Sequence, residues 1–174
     1  MQFAKDSFFL ALQQRLAGLN PARTITLNGA TTPAVVVTEN LPPTSAEPLP
    51  NAFYIEWGMA SVVDNHAGNG ALMGLECVIS YYTFGSVSSM VDRGRVLGEL
   101  DDELLGICQP PSTEKTDYTQ APSVDLGTKV FWTQPTFAEK QQKAVVAEAE
   151  PPPDGRVGRR AELKIFFYSE VIFS

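Results

Sequence analysis

Ala161-Glu162-Leu163-Lys164-Ile165-Phe166-Phe167-Tyr168 alternates along its length. In an extended strand Leu163, Ile165 and Phe167 share one face, and Phe166 and Tyr168 share the other. A strand apolar on both faces needs cover on both. The segment therefore predicts a central strand whose second face draws part of its cover from another subunit. Apolar residues continue through Val171, Ile172 and Phe173. The strand is expected over about Arg159 to Phe173, with the part up to Tyr168 in the core and Phe173 near a subunit boundary.

Immediately before it, residues 134–160 admit two readings. Phe137 to Glu150 is rich in Ala, Glu, Gln and Lys and suits a helix. Alternatively, Ala144-Val145-Val146-Ala147 extends a strand into a hairpin turned at Pro151-Pro152-Pro153-Asp154-Gly155. The hairpin, or a long projecting loop, is favoured. Thr128 to Thr133 reads as a strand, and Gln109 to Asp125 as a polar, proline-containing loop.

Further back, Met90, Leu97, Leu100, Leu104 and Ile107 mark the apolar stripe of a helix ending near Gly106. Ser86 or Ser88 is its expected N-cap. Gly94 and Gly98 imply close backbone packing, because each costs about 1 kcal/mol of helix propensity. Glu99, Asp101, Asp102 and Glu103 form an acidic outer surface, solvated or facing a subunit. Residues 53–63 and 71–84 read as a hairpin with an exposed tip at Asp64–Gly70. Phe53, Ile55 and Trp57 oppose Tyr54 and Glu56 on its first strand.

Prolines at 42, 43, 48 and 50 make 41–50 a stiff connection. Pro33 to Thr38 reads as one strand buried on both sides. Phe9, Leu12, Leu16 and Leu19 set the face of a first helix over Gln2 to Leu19, stopped by Asn20-Pro21. A short strand, Thr24 to Leu27, follows.

The whole predicts a single α/β (α+β) domain: a mixed or antiparallel sheet packed against two helices, with long loops or hairpin extensions at 41–50, 109–125 and 134–160. A chain of 174 residues buries roughly 70% of its unfolded surface, enough for a core without disulfide or metal.

Net charge is -7 and the pI about 4.7, which argues against broad attraction to nucleic acid or an anionic membrane. The first residues do not read as a signal peptide, since Gln13, Gln14 and Arg15 break the apolar run. No run is long enough to span a membrane. Cys77 and Cys108 make no CxxC or zinc pattern and read as buried or half-buried free thiols.

Candidate chemistry is sparse. His66 is the only histidine and stands among turn-formers beside Asp64, Asn65 and Asn69, which favours a loop histidine over a general base. Neighbouring carboxylates on a helix splay about 100° apart, so those around Asp102 do not converge on a metal. Gly68, Gly70 and Gly74 lack the Lys-Ser/Thr of a phosphate loop. Arg156, Arg159 and Arg160 form a small basic cluster suited to pairing with acidic residues of the same chain or of a neighbour. No catalytic, cofactor-binding or metal residue is assigned.

The order of elements is helix, short strand, Pro33-Ala34-Val35-Val36-Val37, hairpin, second helix, strand and a closing aromatic strand. It resembles that of the tail terminator (tail completion) proteins of long-tailed bacteriophages, of the minor tail protein U type. The resemblance implies a non-enzymatic virion protein, made in the host cytoplasm and without a cofactor. It also implies a homo-oligomeric ring, a hexamer, that caps the tail tube and docks to the head–tail connector. DNA would pass through its lumen without specific binding. Expected subunit or partner contacts are Asp64, Asn65, His66, Asn69, Glu99, Asp102, Arg156, Arg159, Arg160 and Phe173. Another neck, tube or baseplate component is the alternative, and a small-ligand-binding domain or an enzyme is a more distant one.

Overall fold

The computed structural model describes residues 1–27, 29–41, 48–66, 70–85, 90–139 and 156–169. Helix α1 spans Gln2–Leu19. Strands β1 (Thr24–Leu27) and β2 (Ala30–Pro33) form a small hairpin around Gly29, whose φ of 81° suits glycine at the turn. Then come β3 (Val35–Val37), β4 (Phe53–His66), β5 (Gly70–Thr83), α2 (Met90–Ile107), β6 (Ser112–Asp117), β7 (Val124–Trp132), β8 (Thr136–Glu139) and β9 (Val157–Tyr168). The result is α+β, with one mixed sheet ordered β3-β4-β5-β9-β7-β6, and β8 also paired to β9.

Strand β9 is central, as its alternation requires. One edge pairs with β5 from Thr83↔Val157 to Leu72↔Tyr168. The other pairs with β7 at Phe131↔Phe166 and Trp132↔Ile165, then with β8 from Thr136↔Glu162 to Glu139↔Arg159. Strands β7 and β8 thus act as one strand interrupted at 133–135, where the Thr133 amide donates to the Lys164 carbonyl at 3.0 Å.

Both helices lie on one face. Ala161, Leu163, Ile165 and Phe167 of β9 and Leu75, Cys77, Ile79 and Tyr81 of β5 are buried beneath them. The opposite face is not covered within the described chain: Phe166 and Tyr168 are half-buried and Glu76 is exposed. The expected cover on both faces is therefore supplied on one.

On α1 the buried positions are Ala4, Ser7, Phe8, Ala11, Leu12 and Leu16. Phe8 is the anchor, whereas Phe9 is half-buried and Leu19 is 54% exposed. Small Ala4, Ser7 and Ala11 let the helix approach the sheet. The Phe8 ring meets Trp132 edge-on at 5.0 Å and Trp57 at 6.0 Å, so one side chain joins α1 to two separate strands.

Several expectations change. Pro33 to Thr38 is not one strand: the chain turns at Ala34, so β2 pairs back on β1 while β3 runs parallel to β4. A parallel neighbour needs a crossover of a dozen or more residues, and 38–52 supplies it. The expected loop 109–125 contains β6, and the helical alternative fails at Thr136–Glu139, which is strand. A Cβ at Gly94 or Gly98 would meet nothing within 4 Å, so close packing does not account for them. The N-cap serines, the rest of 134–160, most of 41–50 and Val171–Phe173 lie outside the described residues.

Phe8→Ala should destabilise the chain by about 3–5 kcal/mol, seen as a lower urea midpoint with unchanged slope. A loss well under 1 kcal/mol would contradict the anchoring role.

Candidate interaction surface

Among the described residues, β4 beyond Ile55 pairs with β5 alone, because β3 reaches just Val35↔Phe53 to Val37↔Ile55. The β4–β5 hairpin strands are 14 residues each, about 45 Å of strand at 3.3 Å per residue. Their outer half, the arm, keeps β5 paired to β9 as far as Leu72 and, among the described residues, leaves β4 as the open edge of the sheet. Its register shifts twice, between Trp57 and Ala60 and between Val62 and Asp64. Such bulges re-aim side chains. Here Met59 is 75% exposed, Val62 59% and Val63 48%. Apolar residues occupy positions where an exposed edge ordinarily carries charge.

Close packing holds the arm's outer half against β9. A Cβ at Gly74 would lie 2.5 Å from Lys164 Cε and 2.8 Å from Val63 Cγ2, so the lysine stem crosses that glycine. The Lys164 ammonium stands 5.9 Å from the Phe166 ring centre.

At the opposite end of the sheet the edge is closed. The Ser7 hydroxyl donates to the Phe3 carbonyl at 2.7 Å and accepts the Thr116 amide of β6 at 2.9 Å. Lys115, buried within β6, donates to the Tyr168 carbonyl at 2.9 Å. Arg15 donates to the carbonyls of Ile107, Pro110 and Ser112 at 2.8–3.1 Å, and Trp132 Nε1 donates to the Cys108 carbonyl at 2.9 Å. A cation and an indole N–H thus satisfy carbonyls left over at the C-terminal end of α2.

The expected contact residues fall in different places. Asp64 is exposed on the arm. Asn65 and His66 lie in β4, with side chains outside the described set, as are Asn69 and Phe173. Glu99 and Asp102 are both exposed on α2. The acidic surface is partly internal: Asp101 bonds Arg159 at 3.0 Å and accepts the Tyr81 hydroxyl, while Glu103 takes two bonds from Arg23 at 2.8 and 2.9 Å and one from Asn20 at 2.6 Å. The basic cluster divides. Arg159 turns to α2, Arg160 pairs with Glu162 on the uncovered face at 3.2 Å, and Arg156 stacks 5.6 Å from the Tyr82 ring centre. Strand alternation forces that split.

Burial, then the Asp101 hydrogen bond and charge, raise the Tyr81 phenol far above its usual range. Burial likewise raises Cys77, with a smaller push from Cys108. Cys108 is pushed up to about 12 by burial, against Arg15. Both thiols are free and buried. Asp117 is held below the usual carboxylate range by hydrogen bonds from Thr119 and Gln120, with the Thr119 hydroxyl at 2.6 Å and the Gln120 amide at 2.7 Å. Among the described residues no group of three or more His, Cys, Asp and Glu is placed to hold a metal ion, and no helix is long and apolar enough to cross a membrane.

These features define a class: a single α+β domain, with helices on one face of a mixed sheet and a long β4–β5 hairpin built into it. No protein-family model matches the chain, and no curated protein does. Among solved structures it is similar to a chain of the virion of a native gene transfer agent particle. That likeness has a TM-score of 0.39 and 14% identity, over 95% of this chain and 98% of the other.

Two outcomes are expected. Neither cysteine should react with a thiol reagent at pH 8 in the native protein, and both should react in denaturant; one native equivalent would show that a thiol is accessible. Because the folded pKa of Asp117 is depressed, its contribution is present above the unfolded carboxylate pKa and lost as pH falls through the folded one. Asp117→Asn should therefore lower the urea midpoint at pH 7, and the difference should close on acidification. A gap that persists at acid pH would contradict the hydrogen-bonded carboxylate.

Proposed function

We propose that this chain is a structural subunit of a phage-like virion and, within that class, a tail terminator. It forms a homo-oligomeric ring, six-fold, that caps the tail tube and docks to the head–tail connector. DNA passes through the lumen without specific binding, in keeping with the acidic chain. The role is steric and adhesive rather than enzymatic. The observation that carries this reading is the outer half of β4, which among the described residues is an open sheet edge with exposed Met59, Val62 and Val63, while Ser7 of α1 meets the opposite edge strand β6. Exposed apolar edges mark interaction sites in soluble proteins. The finer reading is supported by the order of elements read from the sequence, through its resemblance to tail terminators. Candidate contacts are Asp64, Asn65, His66 and Asn69 on the arm, Glu99 and Asp102 on α2, Arg156, Arg159 and Arg160 on or beside β9, and Phe173.

Light scattering and negative-stain microscopy test it. The expected result is a closed ring of about six times the 18.9 kDa subunit, with the protein present at one end of purified tails. A strict monomer that is absent from purified particles would overturn the reading.

A further inference from the structure

We draw no further inference here: the strongest candidate, the edge of β4 from Trp57 to Asp64, open among the described residues and carrying exposed Met59, Val62 and Val63, already carries the assembly reading above, and nothing in the structure shows what covers it.

Discussion

Phe8 stands edge-on to Trp132 at 5.0 Å and to Trp57 at 6.0 Å, and that aromatic wedge fixes where α1 lies. Trp57 is on β4 and Trp132 on β7, with β5 and β9 between them. Once Phe8 is seated, α1 spans the sheet rather than running beside it. Ser7 then reaches the β6 backbone, and Arg15 reaches the carbonyls at the end of α2. One apolar contact thereby positions two polar ones, and each satisfies a backbone group that would otherwise be costly to bury.

The same placement decides what stays uncovered. With both helices on one side, the second face of β5 and β9 keeps Glu76, Arg160, Glu162 and Lys164 in or near solvent. Short β3 covers only the first residues of β4, so the strand continues as an open edge. Among the described residues, folding covers one side and one end of the sheet and leaves the others open. Exposed Met59, Val62 and Val63 contribute little apolar burial to the subunit itself.

Much of the architecture was legible because alternation reports a strand directly. Ala161–Tyr168, Leu75–Thr83 and Phe53–Trp57 were read from period two alone. The adjacent Phe8 and Phe9 were harder, since both fit a helical stripe and only the sheet chooses between them. Strand β6, Ser-Thr-Glu-Lys-Thr-Asp, carries no apolar signal at all. Besides its ladder to β7, it meets a helix hydroxyl and a distant carbonyl, and none of these leaves a local pattern. For the same reason the acidic run on α2 looked like an outer surface. Asp101 and Glu103 meet Arg159 and Arg23 only through the tertiary fold. Of the candidate contacts, the arm was legible as a hairpin, but the expected tip at Asp64–Gly70 is strand through His66 and again from Gly70, and which strands flank it required the strand order.

Amide hydrogen exchange on the full chain, with the assembled and dissociated states compared, tests the central claim most directly. The account predicts slower exchange on assembly along the open edge of β4, the arm stretch from Trp57 to Asp64, with β6 and α1 unchanged. Protection that appears instead along β6 or α1, and leaves the arm exchanging as in the dissociated subunit, would contradict it.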